Sequence, residues 1–261
     1  MKRQPLRARG ADFAAFAADV EAPQAGPLLV WAAGWGQSHA DLLPLAESLR
    51  QRGRSILLDL PGFGASPPPP AAWGTADYAD AAAEFLASSG AKRRLWVAHS
   101  FGCRVGLQLA ARHPSLVDGL FLIAAPGLPR QRSLAAHARF AARRWAFRLA
   151  RQLTPEGPAR ERLRQHFGSA DYRRAGPLMR QVLVKAVNED LSAPARAVRC
   201  PVVLVYGDRD RDAPADIGER FHRLMPQSRL VVLRGFGHLD IVTDGRHQIA
   251  QLLGDFVEQL P

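Results

Sequence analysis

The chain has 261 residues, 47% of them hydrophobic and 23% charged, an ordinary globular balance and long enough for one large core that carries an insertion. No apolar run approaches the roughly 20 residues that span a bilayer, and two cysteines exclude a disulfide framework. Nor does any paired histidine spacing or phosphate loop point to a metal or a cofactor, whereas the formal net charge of +11 leaves room for an acidic partner or substrate.

The N-terminus opens with Met1-Lys2-Arg3 and adds Arg7 and Arg9. The following stretch, Ala11 to Phe16, is too short and too interrupted by acid to be a signal-peptide core. It reads as a leading segment packed on the edge of the core, with a cytoplasmic location as the default. Leu28 to Ala32 is a strand, His39 to Gln51 an amphipathic helix with Leu42, Leu43, Leu45, Ala46 and Leu49 inward, and Ser55 to Leu58 the next strand. The prolines Pro67 to Pro70 form a stiff surface loop, and a helix runs from Thr75 to about Ser89.

The run Arg94 to His99 then meets Ser100, with Ala98 two residues before it and Gly102 two residues after. A serine on a sharp strand-to-helix turn needs strained backbone angles and small neighbours at those positions, so the segment reads as a nucleophile elbow. A helix from Phe101 to His113 and a strand from Leu120 to Ala124 follow, which puts Cys103 in the first turn after the elbow. Cys103 and Cys200 read as small buried hydrophobes.

Between Pro126 and Pro194 the alternation of strand and helix stops. Residues 128 to 195 hold thirteen Arg and one Lys against five acids, a surplus of nine that is most of the chain's charge. Projected as a helix, Leu134, Ala138, Ala142, Trp145 and Leu149 share one side, while Arg139, Arg143, Arg144, Arg148 and Arg151 spread over the other. Three readings of this basic face stand side by side: a solvated arginine-rich face, a dock for an acidic partner or anionic substrate, and an anionic membrane or nucleic acid. Nucleic acid is the least favoured, since no binding module accompanies the arginines.

Alternation resumes with the strand Val202 to Tyr206, which ends in a loop holding Asp208, Asp210 and Asp212. The strand Leu230 to Leu233 ends in Gly235-Phe236-Gly237-His238. Serine, acid and histidine therefore occur in that order, each just after a strand, where an α/β sheet gathers its loops on one edge. Such a trio suits nucleophilic catalysis. An imidazole must take the serine proton during attack, and a carboxylate must fix the imidazole tautomer and stabilise the imidazolium. His247, at the start of the C-terminal helix, reads as a surface residue.

With these motifs in view, the chain resembles the α/β-hydrolase superfamily from about Leu28 to Leu260. Val30 to Gln37 is similar to its His-Gly-x-Gly oxyanion loop, with Ala33 where many relatives carry histidine. Asp59 to Ser66 is similar to its Asp-x-Pro-Gly-x-Gly-x-Ser segment. The resemblance implies a mostly parallel central sheet flanked by helices. Residues 1–126 and 196–261 would form the core, and residues 127–195 a helical cap. It assigns Ser100 as nucleophile, His238 as base and the backbone amides of Trp35 and Phe101 as oxyanion donors. Trp35 could also line the acyl pocket or simply pack. The spacing Gly207, Asp210, Pro214 favours Asp210 as the orienting acid, with Asp208 as the fallback.

A looser likeness is to the pimeloyl-carrier-protein methyl ester esterases, in which basic cap residues receive an acidic acyl carrier protein. It makes Arg139, Arg143 and Arg144 a candidate carrier surface. The activity implied is cofactor-free cleavage of a carboxylic ester through an acyl-enzyme, on a small molecule or a carrier-linked acyl group. Thioester and carbon-carbon bond cleavage are alternatives on the same three residues. A catalytically silent ligand-binding protein of this fold is the alternative outside enzymes.

Overall fold

Fully buried strands need apolar side chains on both faces, and the apolar runs of this chain supply them at the centre of one sheet. The computed structural model describes residues 2–18, 26–129 and 169–260, with isolated positions between 142 and 157. Its strands are β1 (Lys2–Ala8), β2 (Ala11–Ala17), β3 (Leu28–Ala32), β4 (Arg54–Asp59), β5 (Arg94–His99), β6 (Gly119–Ile123), β7 (Val202–Gly207) and β8 (Ser228–Leu233). They join in one eight-stranded sheet of order β1-β2-β4-β3-β5-β6-β7-β8. The six strands β3 to β8 run parallel, and β1 and β2 add an antiparallel edge. Every residue of β3 and β6 is buried, and Trp31 and Trp96 lie in the floor of the core.

The N-terminal segment does more than lie on the core edge. β1 and β2 form a hairpin, with Ala8 paired to Ala11 across a two-residue turn. Arg9 (φ 50°) and Gly10 (φ 73°) supply the two positive angles that such a turn needs. The strand character of the segment escapes sequence reading because Arg-Gly is a weak turn signal and alanine dominates β2.

Helices cover the sheet: α1 (His39–Ser48), α2 (Thr75–Ser88), α3 (Phe101–Arg112), α4 (Ala170–Arg174), α5 (Pro177–Asn188), α6 (Ser192–Ala197), α7 (Ala215–Leu224), α8 (Asp240–Thr243) and α9 (Arg246–Gln259). α1 begins with a reciprocal cap, in which the Ser38 N–H donates to Asp41 Oδ2 at 2.8 Å and the Ser38 hydroxyl oxygen accepts from the Ala40 N–H. It stops at Ser48, short of Gln51, because the Leu49 N–H turns back to the Ala46 carbonyl. Cys103 is buried as expected, whereas Cys200 is only half-buried.

The helices α4, α5 and α6 lie between β6 and β7, in the segment expected to be a helical insertion. Arg139, Arg143 and Arg144 lie outside the described residues. The second half of the segment is fastened to the rest of the fold. Arg104 of α3 donates through Nη1 to the Ala186 carbonyl at 2.7 Å, and Glu189 accepts the Thr75 N–H at 2.9 Å and the Thr75 hydroxyl. No helix among the described residues is long and apolar enough to cross a membrane.

The chain leaves β3 toward β4 on one side of the sheet and leaves β5 toward β6 on the other. Between the carboxyl ends of β3 and β5 the loops diverge and open a crevice, the usual place for a ligand in an open parallel sheet.

Candidate active site

Ser100 sits at that crevice, directly after β5 and directly before α3. Its backbone, at φ 49° and ψ −107°, lies in a region that favours glycine. The Ser100 N–H donates to the Ile123 carbonyl at 3.0 Å and its carbonyl accepts the Cys103 N–H at 3.0 Å, so neighbouring elements hold the turn from both sides. Close approach requires the small residue after it. A Cβ on Gly102 would stand 2.2 Å from the Ala32 carbonyl oxygen, inside the contact between α3 and β3. The sharp, strained strand-to-helix turn is therefore present, and Ser100 is half-buried on it.

His238 comes to it from the loop after β8. Its Nε2 accepts the Ser100 Oγ–H at 2.9 Å, and its Nδ1–H donates to Asp210 Oδ2 at 2.7 Å. Asp210 is only 4% exposed, so its charge needs partners. It finds them in the N–H groups of Asp212 and Ala213, which donate to Oδ1 at 2.7 and 2.8 Å. One carboxylate oxygen is thus fixed by the backbone and the other is left for the imidazole.

Asp208 takes a different place. Its Oδ1 accepts the Gly235 N–H at 2.7 Å, and its own N–H donates to the Leu233 carbonyl at 3.1 Å. The Arg209 N–H donates to the Phe236 carbonyl at 3.0 Å and completes the lacing of the acid loop to the histidine loop. Between the two acids that the sequence offered, Asp210 is the one that meets His238. Asp212 also approaches this pair: donor atoms of Asp210, Asp212 and His238 lie within 4.8 Å of one another. His238 Nδ1 and Asp210 Oδ2 are already hydrogen-bonded to each other.

The loop after β3 faces the elbow. The Gly34 N–H donates to Gln37 Oε1 at 2.8 Å, and the Gln37 N–H returns to the Gly34 carbonyl at 3.2 Å. A Cβ on Gly34 would lie 3.2 Å from Ser100 Cβ and 3.0 Å from His99 Nδ1, so the loop rests directly on the elbow. Among the described residues, neither the Trp35 nor the Phe101 N–H donates to a protein acceptor; Phe101 opens α3, where the first amides have no partner within the helix. Such amides are suited to an anion.

Trp35 is half-buried. Its ring meets Phe63 edge-on at 4.9 Å and Phe101 at 5.5 Å, and Tyr78 meets Phe101 at 5.3 Å. Trp35 thus packs in an aromatic group with Phe63 and Phe101, the residue that follows Ser100.

Three residues near the site carried no role in the sequence reading. His99 is wholly buried under the loop, and its burial, with the neighbouring His238, lowers its pKa to about 4, so the ring is neutral. Gln37 was legible only as the end of the glycine-rich stretch. Asp59, also buried, accepts the N–H groups of His39 at 2.6 Å and Ala65 at 2.7 Å and contacts the His39 ring, which stacks on Phe16. An aspartate opening an Asp-x-Pro-Gly stretch was the available signal for it.

Fold and site together define a hydrolase of the open parallel-sheet type, and the chain belongs to the alpha/beta hydrolase family, whose pattern it matches over residues 28–252. It is 32% identical over 230 residues to the pimeloyl-[acyl-carrier protein] methyl ester esterase of Chromobacterium violaceum, a match that covers 81% of this chain and 87% of that protein. Among solved structures it is similar to the enol-lactonase from Burkholderia xenovorans, at a TM-score of 0.74 and 17% identity, covering 98% of this chain and 100% of the other. The thioesterase domain from the curacin biosynthetic pathway is similar at a TM-score of 0.69 and 17% identity, covering 97% and 99%. At those identities the structures speak for the fold.

Proposed function

We propose that this hydrolase is a serine carboxylic ester hydrolase working through an acyl-enzyme. The observation that carries the reading is the unbroken hydrogen-bonded series from Ser100 Oγ through the His238 ring to Asp210. In this reading His238 Nε2 takes the Ser100 proton as Oγ attacks the ester carbonyl. Asp210 keeps the proton of His238 on Nδ1 and stabilises the imidazolium. Because Oδ1 is held by two backbone amides, the carboxylate cannot rotate away at the moment it is needed.

The amides of Trp35 and Phe101 receive the charge that develops on the carbonyl oxygen. Donors of this kind are worth about 10²–10³ in rate each, since they are in place before the charge appears. Collapse of the intermediate expels the alcohol, protonated by His238, and water repeats the sequence to release the acid.

Within the same reading, residues 127–195 are a cap over the crevice, the protein acts in the cytoplasm, and the substrate is an acyl ester presented by an acidic carrier protein. Support for the carrier comes from the Chromobacterium relative, an esterase of a carrier-protein-linked methyl ester, and from the arginine surplus of residues 128–195. Arg139, Arg143 and Arg144 are the proposed contact, and charge steering is what they would supply.

A chain-length series of p-nitrophenyl esters, run on the wild type and Ser100→Ala with fluorophosphonate labelling of the serine, tests the reaction. Turnover and labelling that both vanish in Ser100→Ala are expected. Turnover surviving in that variant would overturn the assignment.

A further inference from the structure

His99 stands between the two halves of the site. Its Nδ1 is 2.7 Å from Gln37 Oε1, the oxygen that also receives the Gly34 N–H, and its Nε2 is 2.8 Å from the backbone carbonyl of His238. The ring lies 4.9 Å from that of His238, tilted by 46°. The side chain therefore bridges the loop that follows β3 and the loop that follows β8, elements that are not neighbours in the sheet.

The proton inventory makes this bridge unusual. A carbonyl only accepts, so the Nε2 contact with His238 requires a proton on Nε2. The Gln37 oxygen, already an acceptor for Gly34, requires one on Nδ1 as well. A neutral imidazole has one proton for the two. Turning the Gln37 amide over would give Nδ1 a donor but would set an NH₂ group against the Gly34 N–H. Each arrangement leaves one buried polar group short, and the ring is held where it can serve either loop.

We infer that His99 is a positioning residue that couples the oxyanion loop, through Gln37, to the backbone of His238, so that the anion-binding amides and the general base keep a fixed mutual geometry. The inference rests on the serine-hydrolase reading above. It concerns the small distances on which catalysis depends: the Trp35 amide follows Gly34, and His238 Nε2 follows its own carbonyl. Misplacement by about 1 Å can cost on the order of 10² in rate.

The test uses His99→Phe, His99→Asn and His99→Gln. An Asn amide reaches roughly where Nδ1 stood and a Gln amide roughly where Nε2 stood, so each restores one contact. His99→Phe is expected to lower kcat about 100-fold with KM within about threefold of wild type, the scale of losing an aligned oxyanion donor. Asn and Gln should each recover about tenfold of that. Only Asn should also recover affinity for a trifluoromethyl ketone, which forms a tetrahedral adduct with the serine and reads the oxyanion side.

A folded His99→Phe with kcat within twofold of wild type would overturn the inference, as would equal losses in all three variants with no rescue. Should His99→Phe fail to fold, Gln37→Leu decides. This half-buried loop residue must then lower kcat and ketone affinity together, and an unchanged Gln37→Leu would overturn the inference. Ser100→Ala runs beside every assay. Turnover that persists there removes the serine reading itself, whereas serine-dependent turnover with unaffected His99 variants removes only the coupling. Where no ester is turned over, the rate of fluorophosphonate labelling of Ser100 replaces kcat with the same expectations.

Discussion

Asp208 holds the Gly235 N–H at 2.7 Å and so anchors the histidine loop, while Asp210, two residues on, holds the histidine itself. Two acids on one turn thus do different work, and substitutions separate them. Asp210→Asn places an amide where the imidazole needs an acceptor and is expected to lower kcat by about 10⁴. Asp208→Asn keeps an acceptor oxygen for Gly235 and should retain most activity. Asp208→Ala removes the acceptor of an exposed hydrogen bond, whose amide water can still reach, so it should cost no more than about 0.5–1.5 kcal/mol of stability. Steady-state kinetics beside urea unfolding reads all three.

Ser100→Gly should be more stable than the wild type and inactive. The φ of 49° is strained for serine and free for glycine, so about 1–2 kcal/mol should be regained. Ser100→Ala keeps the Cβ and should show no such gain. Urea midpoints of the three proteins at constant m-value check the difference.

Gly102→Ala should be severely destabilised, because the new methyl would lie 2.2 Å from the Ala32 carbonyl oxygen, and backbone cannot yield as a flexible side chain does. A loss of about 1–3 kcal/mol or more is expected from overpacking at such a contact. The same thermal or urea measurement serves, and a melting temperature unchanged within error would contradict the packing described.

Acid should weaken the fastening of the N-terminal hairpin and α3 to α2. Burial opposes the charge of Asp80, but hydrogen bonds from Arg112 and His113, with the charges of Arg112 and Arg9, outweigh it and lower its pKa to about 2. A carboxylate with a depressed folded pKa contributes fully above its unfolded value, about 3.9, and loses that contribution as pH falls toward 2. The stability difference between wild type and Asp80→Asn should therefore be constant above about pH 5 and shrink between roughly pH 4 and 2. Urea titrations across that range measure it.

Glu189 joins the exit of the inserted segment to the start of α2, and its charge faces buried Arg104. Glu189→Gln should cost about 1–3 kcal/mol, since it weakens the acceptor for Thr75 and removes the charge opposite a buried guanidinium. Thr75→Ala in the Glu189→Gln background should then cost less than in the wild type, a coupling that a double-mutant cycle reads.

The sheet and the places of Ser100, Asp210 and His238 were open to sequence reading because each rests on local chemistry. Apolar runs on both faces make buried strands, small residues bracket a strained serine, and glycines precede the histidine. The assignment among Asp208, Asp210 and Asp212 turned on spacing, and the backbone geometry of the turn is what distinguishes their tasks. The β1–β2 hairpin was missed because its stability comes from tertiary pairing with β4 and from Arg9 reaching Asp77 and Asp80 on α2. His99 was silent for a similar reason: its meaning lies in two partners, 62 and 139 residues away.

The aromatic group around Trp35 gives the protein an optical reporter of its own. Trp31, Trp73 and Trp96 are shielded in the interior and Trp145 is 66% exposed, so neither group should respond much to events at the serine. Trp35 is half-buried against Phe63 and Phe101, so under the proposed reaction it is the indole whose surroundings should change on acylation of Ser100. The proposed acylation should therefore be visible in stopped flow as a change in intrinsic emission, without a chromogenic leaving group, and Ser100→Ala should abolish that change.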